Sequence, residues 1–228
     1  MDVGLYIAAQ GMLVEQVRQD QLANDLANAS TPGYKSDHST QQDFGSLLLA
    51  NTSTGQPVGV IDTGVRVDSI VTNLSPAGLR STGQPLDFAV AGDGFFGVRT
   101  PQGVLYTRDG QFHANSQSLL VDGQGNEVLD QNGAPITVSA KGTVPASALG
   151  VFNVTGATKQ GYNYFKGAAA GRATGTVQQG SLEDSSVDPV NTMVDMIASL
   201  RAYESGQKAI SSIDETLQAS AQSVGSMG

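Results

Sequence analysis

The chain contains two histidines, His38 and His113, and no cysteine, so nucleophile–base pairs have almost nothing to be built from. Neither histidine stands in a catalytic context, and no Gly-x-Ser-x-Gly elbow occurs, so both read as surface or loop residues. The missing cysteines also exclude disulfides and thiolate metal sites. Asp122-Gly123-Gln124-Gly125-Asn126-Glu127 superficially resembles a calcium loop. Gln124 stands where a second ligand belongs, and a hairpin turn explains the stretch better. Gly92-Asp93-Gly94 is too short to cradle a dinucleotide, and aromatic strand residues follow it instead of a helix. Glu183 and Asp184, near Asp188, offer paired carboxylates for acid–base work, but nothing in the pattern raises the pKa of one of them. Helix capping is the stronger reading there. Tyr162, Tyr164 and Phe165 make a candidate carbohydrate platform, against which a strand edge or subunit contact weighs at least equally. The sequence thus predicts no catalytic residue, no metal and no cofactor.

Composition narrows the classes further. Of 228 residues, 14% are charged and 39% hydrophobic, with 28 glycines and a formal net charge of −9. An average domain has about 25% charged and roughly 45–50% apolar residues. The anionic balance argues against binding a phosphate backbone. No apolar run approaches the roughly 18–20 residues of a membrane-spanning helix, so no membrane insertion is expected. Met1-Asp2 opens on an acid, with no basic region before an apolar core, so a cleaved signal peptide is not expected.

The elements that position these residues fall into three blocks. Leu5, Met12, Gln19 and Leu26 recur every seven residues, with Ala8, Glu15 and Leu22 as a companion series. That spacing predicts a helix with a narrow coiled-coil-like seam, stopped by Ser30-Thr31-Pro32-Gly33. At the other end, Ser186 or Asp188 is positioned to cap a helix with Pro189 in its first turn. Met196, Tyr203, Ile210, Leu217 and Val224 then recur every seven residues, and Met193, Ile197, Leu200 and Ile213 widen the stripe. Between the ends lie short alternating segments over 65–71, 86–90, 95–98, 104–107, 119–121, 127–129 and 135–138, separated by Gly-, Asn- and Asp-rich turns. Residues 44–64 and 155–180 read as extended or loop structure.

The predicted fold class is α+β. The N- and C-terminal helices pair as a coiled-coil-like hairpin, with Leu22 and Leu26 facing Met196, Tyr203, Ile210 or Leu217. A central antiparallel all-β domain lies between them. The expected divisions are 1–35 for the first helix, 36–64 for an extended linker, 65–180 for the β domain and 181–228 for the second helix. Single-stripe helices leave apolar surface even when paired, which points to assembly with neighbouring copies.

Three stretches, in order, then coincide with one family. Leu22-Ala23-Asn24-Asp25-Leu26-Ala27-Asn28-Ala29-Ser30-Thr31-Pro32-Gly33-Tyr34-Lys35 resembles the N-terminal motif of bacterial flagellar rod and hook proteins, with Asp25 where the family has a second Asn. Residues 85–96 are similar to the family's central motif, and Tyr106-Thr107-Arg108-Asp109-Gly110-Gln111-Phe112 continues it. Residues 180–188 look like the motif that opens its C-terminal helix, with Ser186 in place of the usual Asn. Met196-Ile197 and Arg201-Ala202-Tyr203-Glu204 fit the helix itself.

The resemblance implies a structural subunit of the flagellar basal-body rod. Such a subunit is exported unfolded by the flagellar type III apparatus without cleavage and polymerises helically in the periplasmic part of the envelope. The polymer transmits torque and encloses the export channel. Its partners would be copies of itself, other axial rod and hook subunits, and the export apparatus. The assembly residues it implies are Leu5, Met12, Leu22, Asn24, Leu26, Asn28, Gly33 and Tyr34 at one end. At the other they are Met196, Leu200, Tyr203, Ile210, Ile213 and Leu217. The short chain favours the proximal-rod type over the distal-rod subunit and disfavours a hook protein. A non-flagellar secreted β-domain binder or enzyme with helical ends is the rival from another class, recognisable by a deep pocket of converging polar groups.

Overall fold

Seven-residue periodicity places a helix at each end, and a computed structural model has them there: α1 over Asp2–Ala27 and α2 over Pro189–Gly225. The structure describes residues 2–43, 46–50, 57–62, 64–161 and 163–225. Tyr162, named in the candidate carbohydrate platform, lies outside the described residues, as does part of 44–64. Pro189 opens α2, where its missing N–H costs no helical hydrogen bond. With helices at both ends and strands between them, the fold is α+β. Among the described residues no helix is long and apolar enough to cross a membrane.

The chain forms two compact units that interleave in sequence. One comprises Met1–Leu26, Asp37–Val71 and Pro189–Gly228. Within it the Ser199 hydroxyl donates to the Glu15 carbonyl at 3.2 Å. A Cβ added at Gly206 would come within 2.8 Å of Met12, and one at Gly4 within 3.7 Å of Ile213. These pairings run in opposite directions along α1 and α2. The less exposed positions of α2 are Thr192, Met196, Ser199, Tyr203, Gly206, Ile210, Ile213 and Leu217, spaced alternately four and three apart. Thr192, Ser199 and Gly206 are small, which lets the backbones approach closely.

The same unit has strands where the sequence suggested a linker. β1 (Asp37–Asp43) pairs with β4 (Val65–Thr72), and β2 (Ser46–Ala50) pairs antiparallel with β3 (Pro57–Asp62). β1 consists of Asp-His-Ser-Thr-Gln-Gln-Asp and carries no apolar alternation to signal a strand. Backbone pairing and contacts such as Thr40 Oγ1 with Ser69 hold it instead.

The second unit comprises Ala27–Ser36 and Thr72–Asp188. Its strands are β5 (Leu79–Ser81), β6 (Phe88–Ala91), β7 (Phe95–Thr100), β8 (Gly103–Thr107), β9 (His113–Ala114), β10 (Leu120–Val121), β11 (Glu127–Val128), β12 (Val151–Lys159), β13 (Tyr164–Arg172), β14 (Thr176–Gln179) and β15 (Ser181–Glu183). Seven of them form one sheet in the order β12-β13-β8-β7-β11-β10-β9, and β12 also pairs with β7. That extra pairing closes β7, β8, β13 and β12 into a ring and removes their free edges. β6 pairs with β14, and β5 with β15. Because side chains alternate along a strand, the adjacent Phe95 and Phe96 feed different clusters. Phe96 joins Phe88, Val98, Phe112, Leu120, Val128 and Val151 in the larger core. Phe95 joins Tyr106 and Phe165 in the smaller one.

Candidate assembly site

The three stretches that carry the family resemblance meet within the second unit. Their meeting point is the carboxylate of Glu183 on β15. Its Oε1 accepts from Lys35 Nζ at 2.6 Å and from the Ala77 N–H at 2.8 Å, and its Oε2 accepts from Arg108 Nη1 at 3.1 Å. Lys35 and Glu183 are wholly buried, and the Arg108 side chain is 1% exposed. Lys35 also donates to the Ser75 carbonyl at 2.6 Å. One anion against two cations leaves an excess positive charge. The Ser75 carbonyl and the Phe95 ring, 5.0 Å from the Arg108 guanidinium, offset part of it. Burial lowers the Lys35 pKa from its ordinary value, and Glu183 opposes that shift.

Residues 27–36 form a loop clasped by this centre. Hydrogen bonds from Thr31 N to the Asn28 carbonyl and from Tyr34 N to the Thr31 carbonyl turn the chain. Gly33 then takes φ +65° and donates its N–H to the Glu183 carbonyl at 2.8 Å. A Cβ there would overlap the backbone of Arg108 and Asp109, so only glycine fits. The Pro32 carbonyl accepts from Asn163 Nδ2 at 2.8 Å. Lys159 Nζ donates to the Lys35 carbonyl at 2.8 Å and sits 4.0 Å from the centroid of the Tyr34 ring. Ser36 N donates to Ser186 Oγ at 2.7 Å, and Asn73 N to the Ser36 carbonyl at 2.9 Å. Ser36, Asn73 and Ser186, beside three of the four crossings into the other unit, are thereby tied together.

Sequence reasoning named Asn28, Gly33 and Tyr34 here but missed Lys35, Arg108 and Glu183 as a centre. The available signal was the one basic residue in each of the first two motifs, Lys35 and Arg108, in a chain with only 12 lysines and arginines. Glu183 does not cap α2, since both of its oxygens belong to the clasp. Asp184 instead pairs at the surface with Arg80 at 3.0 Å. Phe165 belongs to a core rather than to an exposed platform, and the Tyr164 hydroxyl donates to Asp122 at 2.6 Å. Asp122 Oδ1 accepts from the Gln124 and Asn126 N–H groups, as a turn requires. His38 and His113 are exposed, on β1 and β9.

The helical residues divide by exposure. Met12, Leu22 and Leu26 are half-buried, Leu5 is 37% exposed, and Asn24 is exposed. Met196, Tyr203, Ile210, Ile213 and Leu217 are half-buried along one line of α2, whereas Leu200 is exposed off that line. Met193, Val194 and Ile197 are likewise at least half exposed, and with Leu200 they form one continuous apolar face. On α1, Tyr6, Leu13 and Val17 are also exposed.

Comparison with known proteins gives matches along most of the chain. Residues 5–35 match the family model described as flagella basal body rod protein. Residues 89–154 match the flagellar hook protein FlgE/F/G D1 domain, and residues 178–223 the flagellar basal body rod FlgEFG protein C-terminal region. The flagellar basal-body rod protein FlgG of Bacillus subtilis is 32% identical, with 94% of this chain and 96% of that protein covered. The flagellar basal-body rod protein FlgF of Caulobacter vibrioides is 31% identical, with 100% and 99% covered. The FlgG of Borreliella burgdorferi is also 31% identical, with 93% and 95% covered.

Proposed function

Since this chain belongs to the flagellar basal-body rod protein family and is a structural rod subunit, we propose that its two units divide the work of assembly. α1 and α2 pair as a coiled-coil-like hairpin, and their exposed faces pack on neighbouring subunits in the inner layers of a tube around the export channel. The strand-built body, an all-β domain completed by residues 27–36, forms the outer layer. Torque passes through many repeated contacts, none of which has to be strong alone. The subunit reaches the periplasmic part of the basal body through the flagellar export apparatus. It does no chemistry. Relatives named FlgG and FlgF match at nearly equal identity, so the proposal concerns a rod subunit of either position.

The observation that carries this reading is the apolar face of Met193, Val194, Ile197 and Leu200, exposed on a helix that a single chain leaves uncovered. A Met193→Ser, Ile197→Ser double substitution tests it. Exposed positions contribute little to monomer stability, so unfolding should shift by less than about 0.5 kcal/mol. Rods recovered from cells should nevertheless be lost, and motility with them. Normal rods in normal number would overturn the reading.

A further inference from the structure

Beside the clasp lies a cavity of about 140 Å³ lined by Asn28, Thr31, Thr107, Asp109, Asp122 and Asn163, among others. Its chemistry is one-sided. The side chains that line it end in carboxylate, amide or hydroxyl groups, and none is cationic. Two carboxylates face an excess of acceptors. Asp122 is fixed by the Tyr164 hydroxyl and by the Gln124 and Asn126 N–H groups. Asp109 accepts the Gln111 N–H through Oδ1 at 3.0 Å. Asn163 is 8% exposed, and its Oδ1 has no hydrogen-bond partner. The orientation of that amide is set from its other side, because Nδ2 donates to the Pro32 carbonyl at 2.8 Å. Thr107 steadies both neighbours, donating to the Asn163 carbonyl at 2.9 Å and accepting from the Asp109 N–H at 3.0 Å.

We propose that this cavity is a divalent-cation site of the calcium class, with Asp109 and the Asn163 side-chain oxygen as direct ligands and Asp122 supplying the second negative charge. Oxygen donors without nitrogen or sulfur select a hard cation, and two carboxylates balance a charge of +2. The orphaned Asn163 oxygen gains the positive partner that no protein group gives it. No group of three His, Asp or Glu ligands occurs among the described residues, so Asp109 and the Asn163 amide are the direct protein ligands and water fills the remaining positions. An irregular shell of this kind suits calcium better than magnesium, which demands near-octahedral geometry. A bound ion would brace the 27–36 loop, through Asn28 and Thr31, against the β12–β13 turn.

The site needs no polymer, so the test uses the purified full-length chain stripped with a chelator, and it stands or falls separately from rod assembly. Calcium chloride at about 10 mM should raise the melting temperature of the strand-built unit by about 4–10 °C, with an apparent Kd of roughly 10⁻⁴–10⁻³ M. Magnesium should shift it less. The chain has no tryptophan and Tyr164 lines the cavity, so tyrosine-sensitised terbium emission gives a second readout that calcium should quench. Asp109→Asn, which removes a strained charge and should fold, must lose both responses. Asp130→Asn, at a turn of the same hydrogen-bonding type elsewhere on the surface, must keep them. No calcium response, or an equal response in Asp109→Asn, overturns the proposal.

Discussion

Val98 and Val194 are the same residue in opposite circumstances: one is fully buried on β7, the other 60% exposed on α2. The contrast holds across the two units. In the strand-built unit, β7 is covered on both faces, a ring of four strands has no free edge, and even the charges of Lys35, Arg108 and Glu183 are sealed inside. In the helical unit, a 37-residue helix keeps one narrow line of half-buried side chains and turns its other apolar residues outward. Isolated helices with so little packing are marginal in water. The strand-built unit covers its own apolar surface; in the proposed assembly the helical unit is covered by neighbours.

The largest expected effect breaks the closed side of that comparison. Glu183→Gln leaves two buried cations without their anion and should cost about 3–5 kcal/mol in urea unfolding of the strand-built unit. Lys35→Met should cost less, because Arg108 still pairs with Glu183. Gly33→Ala comes next. Its positive φ and the overlap with the Arg108 backbone should cost about 1–3 kcal/mol, read as a lower urea midpoint with an unchanged slope.

A pH series sharpens the same side. Asp109 holds its proton up to about 6 when folded, against an ordinary value of 3.8. The folded state therefore binds the proton more tightly than the unfolded one, and this group's contribution to stability is fully present below 3.8 and lost as pH rises through about 6. In calcium-free buffer, Asp109→Asn should stabilise the unit by about 1–2 kcal/mol at neutral to alkaline pH, after allowing for partial solvent screening, and change little at low pH. The smallest effect belongs to the open side. Ile210→Ala, at a half-buried position, should cost the monomer about 1 kcal/mol, below the 2–5 kcal/mol of a fully buried truncation. Thermal unfolding followed by helical circular dichroism measures it.

What could be read from the sequence follows from the range of each interaction. The repeat of Met196, Tyr203, Ile210 and Leu217 is local, so the helix and its half-buried line were visible. The other half of that line was not, because Thr192, Ser199 and Gly206 contribute closeness rather than hydrophobicity, and a search for apolar stripes selects Leu200 instead. β1 and the β12–β13 hairpin read as linker or loop because polar, glycine and alanine residues fill them. The clasp lay beyond reach for a different reason. Glu183 is 148 residues from Lys35 and 75 from Arg108, and no local periodicity links residues so far apart. The motifs marked where the chain ends converge without saying that one carboxylate joins them. The cavity escaped for the same reason: Asp122 was weighed only within its own turn, whereas Asp109 and Asn163 reach it through the fold.

The division between a self-sufficient unit and an incomplete one is tested most directly by amide hydrogen exchange on a verified monomer and on assembled rods. In the monomer, β7, β8 and β13 should be strongly protected while residues 189–222 of α2 exchange quickly. In rods, the same helix should become as protected as the strands. Strong protection of α2 in the monomer, equal to that of β7, would contradict the account.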